Sequence, residues 1–195
     1  MKKLSKRAAA LIAALVMCLL AVSCSSADSG EWNSMATAYD VLERMITSAN
    51  EYEARDDAEY LEGGLIYRAD SDEEGKYLTD SQKSYYYGSV GGDPDFSCVT
   101  DYALWTAADS VSTELGVFVV NDGDAADTVK DFVKERINTL RQNALDYKPE
   151  EREKADKALI TVKGKYVIYI VTNINDELEA MAEDEILEKI AESES

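Results

Sequence analysis

A cysteine near the start of the chain, Cys24, has the neighbours of a lipid attachment site. Four basic residues come first: Lys2, Lys3, Lys6 and Arg7. They precede an unbroken apolar run, Ala8 to Val22, which is the layout of a secretory signal peptide. Ala21 and Ser23 are small residues just before the cysteine, as in a bacterial lipobox. We expect residues 1–23 to be removed and the Cys24 sulfur to be acylated, which anchors a protein to a membrane without spanning it.

Two other interpretations of this segment stay open. The apolar run is shorter than the roughly 20 residues that a transmembrane helix needs, and ordinary cleavage would leave Cys24 unmodified. The favoured organisation is a lipoprotein signal peptide at 1–23, the lipidated cysteine with a short tether at 24–33, and a single acidic domain at 34–195. The domain is then expected at the cell membrane, lipid-anchored on the extracytoplasmic side.

The charge of the predicted mature chain restricts its partners. Removing residues 1–23 leaves 16 basic and 39 acidic residues, a net charge of −23. Such a charge repels nucleic acid, because its phosphates are also negative. It favours cations and basic partners, such as a membrane or cell-envelope protein. Dense carboxylates that only keep an anchored domain soluble are the alternative explanation.

Two runs of carboxylates could bind calcium, which takes oxygen ligands. The first contains Asp70, Asp72 and Glu74, and the second contains Asp122 and Asp124. Neither run has the spacing of a calcium loop with its closing glutamate. We expect a solvated turn at the first run and a helix cap at Asp124, so both are weak candidates for a metal site. No cofactor is predicted.

The chain lacks the residues of most catalytic sites. It contains no histidine, no nucleophile elbow and no phosphate loop. With Cys18 removed and Cys24 acylated, Cys98 is the one remaining thiol, and either an inert buried thiol or a disulfide between chains is possible. Paired carboxylates could hydrolyse a glycosidic bond, but among 39 acidic residues a suitable pair would arise by chance. We therefore predict no catalytic residue and no enzymatic activity.

Helices are indicated where apolar residues recur at three- and four-residue spacing. A first helix begins at the capping residue Ser34, and a final one begins at Asn175 or Asp176. Asp80 and Gly88 bound a short segment with three tyrosines, for which we favour a helix over a strand. A central helix has an apolar face of Val129, Phe132, Val133, Ile137 and Leu140. Its basic residues lie toward its end, as the helix dipole favours: Lys130, Lys134, Arg136 and Arg141.

Five segments are rich in strand-forming residues: Leu65–Tyr67, Val99–Ala107, Glu114–Val120, Leu159–Val162 and Tyr166–Val171. Lys163 and Gly164 indicate a tight hairpin turn between the last two. The last segment is apolar on both faces, so we expect it to be central in its sheet. Pro149 can open a short helix that runs to about Lys157. The predicted fold is α+β, a mainly antiparallel sheet of about four to five strands packed by helices.

Several motifs, taken in chain order, resemble those of one family. They are Tyr86-Tyr87-Gly88, Glu114-Leu115-Gly116-Val117-Phe118, a helix with Arg136, Tyr147-Lys148-Pro149-Glu150 and Val162-Lys163-Gly164-Lys165-Tyr166-Val167. The set resembles domain of unknown function 4358 (DUF4358), an uncharacterised lipoprotein domain family of Gram-positive gut clostridia, over roughly residues 35–175. Lys165 departs from the family pattern, in which we expect asparagine. The resemblance implies an α+β lipoprotein and no functional residue beyond the lipidated cysteine; Tyr147, Tyr166 and Arg136 are expected to pack across the sheet–helix junction.

The expected function is that of a lipid-anchored accessory or interaction module at the outer face of the cytoplasmic membrane. A ligand-binding lipoprotein is the alternative, with calcium or a glycan such as a cell-wall fragment as its ligand. Twelve tyrosines and two tryptophans could stack on sugar rings.

Overall fold

The computed structural model describes residues 36–51, 61–89 and 91–193 of the chain. The predicted signal peptide, Cys24 and the tether lie outside these residues and stay predictions. Ser34 lies outside them too, but its prediction as the helix cap is wrong. The first helix begins at Ala38, and Oγ1 of Thr37 accepts a hydrogen bond from the backbone N–H of Asp40 at 3.1 Å. The side chains of Ile186 and Ile190, which the pattern of the final helix predicts to be buried, also lie outside the described part.

Five strands form one sheet: β1 (Leu65–Arg68), β2 (Val99–Thr106), β3 (Glu114–Val120), β4 (Leu159–Lys163) and β5 (Tyr166–Val171). Their spatial order is β1-β2-β3-β5-β4, and every neighbouring pair is antiparallel. The α+β prediction with an antiparallel sheet is confirmed. The expected central strand, β5, lies between β3 and β4.

Five helices pack on the sheet: α1 (Ala38–Glu51), α2 (Asp80–Tyr87), α3 (Ala126–Tyr147), α4 (Arg152–Asp156) and α5 (Asn175–Ser193). Short 3₁₀ turns precede α3 and α4, at Gly123–Ala125 and Pro149–Glu151. Pro149 opens the second turn, as predicted. Within the described residues, no helix is long and apolar enough to cross a membrane.

Both faces of the sheet are covered, and the alternation of side chains along each strand decides what each face contacts. Leu115 and Val117 of β3 point to the face packed by α1 and α5. Phe118 points to the opposite face, packed by α2, α3 and α4. All six residues of β5 are buried because helices cover both sides of that strand.

The short tyrosine-rich segment is a helix, as favoured, but its N-cap is Thr79 and not Asp80. The Thr79 side chain accepts a hydrogen bond from the backbone N–H of Gln82, and the Gln82 side chain accepts one from the backbone N–H of Thr79. This reciprocal capping box satisfies two donors at once. Gly88 ends the helix, as predicted.

The prediction of Asp124 as the cap of the central helix is wrong. The Asp122 side chain caps the preceding 3₁₀ turn and accepts a hydrogen bond from the backbone N–H of Asp124 at 3.1 Å. The helix therefore starts from a turn that is already closed. The last turn of α3 also contains no basic residue, so the dipole interpretation of its basic residues is not supported.

The turn between β4 and β5 explains how Lys165 is tolerated. Gly164 has a φ of 55°, whereas no described residue other than glycine has a positive φ. A two-residue hairpin turn with glycine first needs positive φ only at that position, as in type II′. Lysine can therefore occupy the second position without strain.

A carboxylate clamp holds the loop between β2 and β3. Oε2 of Glu151 accepts hydrogen bonds from Ser110 Oγ (2.5 Å), Val111 N (3.0 Å) and Ser112 Oγ (3.0 Å). The Lys148 ammonium lies 3.1 Å from Oε1. Burial acts to raise the pKa of Glu151, but the bonds from Ser110, Lys148, Ser112 and Val111 outweigh it and lower the pKa from 4.5 to about 2.

We predict that Glu151→Gln lowers the free energy of unfolding at pH 7 by about 1–3 kcal/mol, because charged hydrogen bonds to the loop are lost. A carboxylate with a depressed pKa stabilises the fold above its unfolded value and loses that effect as it is protonated. The difference between variant and wild type should therefore shrink as the pH falls from 4.5 toward about 2. Urea unfolding at a series of pH values measures it.

Glu150→Gln is the matched control, since Glu150 is the preceding residue in the same turn and is exposed. Its free energy of unfolding should stay within about 0.5 kcal/mol of wild type. An equal loss in both variants, or a Glu151→Gln difference that does not depend on pH, would contradict the clamp.

Candidate functional site

A buried ion pair joins the sheet to its longest helix. Glu114, the first residue of β3, is 2% exposed, and Arg136, in the middle of α3, is 6% exposed. Nε of Arg136 donates to Oε1 of Glu114 at 2.9 Å, and Nη2 donates to Oε2 at 2.5 Å. This two-pronged geometry is the strong form of an arginine–carboxylate pair. It satisfies both charges away from water.

Three tyrosines extend the pair into what we call the buried polar cluster. Tyr169 of β5 donates its hydroxyl to Oε1 of Glu114 at 2.5 Å, and the Tyr87 hydroxyl lies 2.9 Å from that of Tyr169. The ring centroid of Tyr86 lies 4.5 Å from the guanidinium carbon of Arg136, a cation–π contact. One cluster thus connects β3, β5, α2 and α3.

The protonation states of the tyrosines and the arginine suit a structural role for the buried polar cluster and not proton transfer. Burial, followed by the charge of Glu114, raises the pKa of Tyr87 and Tyr169 well above their ordinary value, so both hydroxyls stay protonated. Burial acts to lower the pKa of Arg136, but the charge and hydrogen bonds of Glu114 outweigh it and the pKa is raised. The tyrosines are hydrogen-bond donors, and the arginine is a permanent cation.

Gly116 makes room for this arrangement. It lies directly opposite Tyr169 in the β3–β5 pairing. A Cβ at position 116 would come within 2.6 Å of Cζ of the Tyr169 ring, and closer still to Cε1. The ring can reach Glu114 only because residue 116 has no side chain.

At the surface, a groove runs beside β1 and the start of α1. One depression of about 420 Å³ is lined by Tyr39, Ile66, Arg68, Asp70, Ser71, Asp72, Glu73 and Lys76. A second one, of about 240 Å³, shares Tyr39 and Asp70 and extends to Thr100 and Asp101. We refer to both together as the β1 groove. Its lining combines an aromatic ring, two cations and several carboxylates.

The centre of the β1 groove is already internally paired. The guanidinium carbon of Arg68 lies 3.9 Å from the ring centroid of Tyr39. The same guanidinium donates to both carboxylate oxygens of Asp70, at 2.8 and 2.6 Å, which lowers the pKa of Asp70. Asp101 accepts a hydrogen bond from Ala38 N at 2.8 Å and so caps α1. Asp72 and Glu73 are exposed on the loop after β1.

The two candidate carboxylate runs have different positions and roles in the structure. Asp70 and Asp72 line the β1 groove, while Glu74 is exposed in the same loop. The second run forms the 3₁₀ turn before α3, where Asp122 is the cap and Asp124 is exposed. Among the side chains that the structure describes, no three of the His, Cys, Asp or Glu type are grouped to hold a metal ion.

Cys98 is half-buried against the face covered by α2 and α3. Its sulfur lies 3.7 Å from the carbonyl oxygen of Asp95. Burial, and then the charge of Asp95, raise the pKa of the Cys98 thiol. The nucleophilic thiolate is therefore disfavoured, which is in keeping with an unreactive thiol.

The residues expected at the sheet–helix junction are only partly there. The prediction is confirmed for Arg136, which reaches from α3 to the sheet. It is wrong for Tyr147, which is 76% exposed at the end of α3. Tyr166 is buried on the opposite face, where its hydroxyl donates to the carbonyl of Ala36 at 2.7 Å. Sequence reasoning missed Glu114 as the partner of Arg136. The available signal was an arginine on the apolar stripe of α3, three residues after Val133.

The comparison with known proteins supports the family resemblance for part of the chain. Residues 95–172 match the family model described as Domain of unknown function (DUF4358). This range includes both members of the ion pair, Gly116 and Tyr169, and it is shorter than the expected 35–175. Over residues 95–172, the chain is therefore similar to this family. No curated protein and no solved structure matches the chain.

We predict that Arg136→Met costs about 3–5 kcal/mol of stability, because it leaves the Glu114 carboxylate buried without a positive charge beside it. The double variant Glu114→Gln/Arg136→Met removes both charges, and Gln can still accept from Tyr169. It should therefore be less destabilised than the sum of the two single variants, by about 0.5–3 kcal/mol. Chemical denaturation of all four proteins gives this coupling energy.

Arg152→Met is the surface control, because its ion pair with Asp156 is exposed. It should cost no more than about 1 kcal/mol. Strict additivity of the two single substitutions, or an equal loss of stability for Arg136→Met and Arg152→Met, would show that the buried pair does not hold the helix to the sheet.

We predict that Gly116→Ala lowers the free energy of unfolding by about 1–3 kcal/mol, because the added methyl group overlaps the Tyr169 ring. Thermal and urea denaturation measure the loss. Gly123→Ala is the control, since a Cβ there would meet no atom closer than 3.8 Å. Equal stability of the two variants would refute the steric role of Gly116.

Proposed function

We propose that the protein is a lipid-anchored extracytoplasmic lipoprotein that acts as an accessory or interaction module at the outer face of the cytoplasmic membrane. The anchor is Cys24, on the strength of the charged start, the apolar run and the small residues before it. The module works by binding a protein of the membrane or cell envelope and not by catalysis. The buried polar cluster is sealed in the core of the domain, which favours a binding surface over an active site.

The observation that carries this proposal is the position of the β1 groove along the chain. Thr37 and Tyr39, which line it, follow Cys24 by only 13 and 15 residues. A fully extended chain of that length spans at most about 50 Å. An anchored Cys24 would thus keep the groove close to the membrane, where a membrane-bound partner has a high effective concentration.

The alternative ligands, calcium and glycans, have less support from the groove. Asp70, the candidate ligand nearest its centre, is already neutralised by Arg68. The same guanidinium covers a face of the Tyr39 ring that a sugar would use. Binding either ligand would first require breaking these internal contacts.

We predict that Cys24→Ala abolishes acylation and membrane retention, because no other residue of the lipobox can carry the lipid. Membrane fractionation and mass spectrometry of the N-terminal peptide measure this. In intact cells, a lysine-reactive crosslinker should join the wild-type chain to one recurring envelope protein, and the yield should drop with Cys24→Ala.

Cys98→Ala is the control for the loss of a thiol, and it should retain both the anchor and the crosslink. Normal anchoring of Cys24→Ala would remove the lipoprotein part of the proposal. The absence of any recurring partner for the anchored wild type would remove the interaction part.

A further inference from the structure

In the part of the chain that the structure describes, the outer edge of β1 is hydrogen-bonded at Arg68 and unpaired at Ile66. In an antiparallel ladder alternate residues bond to the neighbouring strand. The backbone N–H of Arg68 points away from β2, because it donates to the carbonyl of Lys76 at 2.7 Å. Ile66 has the same orientation, two residues earlier. No described residue forms a hydrogen bond with the outward N–H and C=O of Ile66.

The shortness of β1 and the Lys76 loop protect its Arg68 end, but the Leu65–Ile66 end has no charged residue and no proline. Lysine, proline or a free inward charge normally discourages pairing at an edge strand. β1 consists of Leu65-Ile66-Tyr67-Arg68, and its one charged residue is tied to Asp70 and Tyr39. Leu65 is 55% exposed.

The charge beside this edge indicates the occupant. Asp70 is neutralised by Arg68, but Asp72 and Glu73 form no ion pair with any described residue. Both line the β1 groove next to Ile66. The whole domain is strongly acidic, so an acidic or neutral strand gains nothing there, whereas lysine or arginine side chains do.

We infer that the outer edge of β1 binds an extended, basic segment of a membrane-associated partner, which adds to the sheet as a sixth strand. The added strand pairs with the backbone of Ile66, and its cationic side chains reach Asp72 and Glu73. Strand addition of this kind takes affinity from main-chain hydrogen bonds and specificity from side chains. The inference rests on the proposed function and names its surface and the chemistry of its partner.

The test uses photo-crosslinking of the full-length chain in intact cells. The photoreactive residue benzoylphenylalanine is placed at Leu65, and at the exposed Tyr147 and Val162 for comparison. Mass spectrometry then identifies the captured segment. From Leu65 we expect a lysine- and arginine-rich segment of one membrane-associated protein.

Two variants test whether the Leu65 crosslink depends on the outer edge of β1 and on the carboxylates beside it. Ile66→Pro removes the outward N–H without breaking the ladder with β2, and should lower the yield from Leu65 about tenfold. Its control is Ile160→Pro, because Ile160 is also half-buried and has an outward-facing backbone, on β4. Asp72→Asn/Glu73→Gln should lower the yield several-fold without touching the core. Glu135→Gln/Glu150→Gln changes the net charge equally at distant exposed positions and should not.

The outcomes separate the two proposals. Capture from Tyr147 or Val162 but not from Leu65 would overturn the edge inference and leave the interaction module standing. A Leu65 crosslink to a second copy, to the same chain or to an acidic segment would also overturn it, as would equal losses in the test and control variants. No capture at any position, together with no lysine-crosslinked partner, would remove the proposed function itself.

Discussion

The buried ion pair between Glu114 and Arg136 is the constraint around which this domain is arranged. Two charges can leave water only when each is paired and hydrogen-bonded on nearly every side. Here the carboxylate accepts from the guanidinium and from Tyr169, and Tyr86 covers the guanidinium. These requirements fix the register of β3 against β5, the rotation of α3 and the position of α2. Among the described residues, these two are the only charged side chains that are buried.

The range that matches the family model contains the residues that bury this ion pair. Residues 95–172 contain the strands and the helix that carry Glu114, Gly116, Arg136 and Tyr169. Each has a structural reason: two charges that need each other, a ring that serves the carboxylate, and a glycine that leaves space for the ring. All four residues within the matched range thus have a structural role. Function is therefore sought on surfaces that this core presents, such as the edge of β1.

The surface is organised by charge in a different way from the core. Exposed ion pairs are mostly local, between residues three or four apart on one helix, such as Lys134 with Asp131, and such pairs contribute little stability. The excess of carboxylates is left for solvent and for partners. The binding site proposed at the outer edge of β1 combines the general attraction of an acidic surface for basic chains with a specific place to pair at Ile66. Electrostatics of this type guides encounter and selectivity more than it adds affinity.

The sequence by itself determined much of the secondary structure, because local spacing and turn residues decide it. The run of apolar residues on both faces predicted that β5 would be interior, and Gly164 marked the hairpin. What only the tertiary structure decided was the pairing of groups distant in sequence. Glu114 and Arg136 are 22 residues apart and meet because β3 and α3 fold onto one another. Likewise, Asp70 could be a metal ligand on sequence alone, yet the fold sets Arg68 against it. Charges are satisfied by whichever partner the packing brings near, and this cannot be read from spacing along the chain.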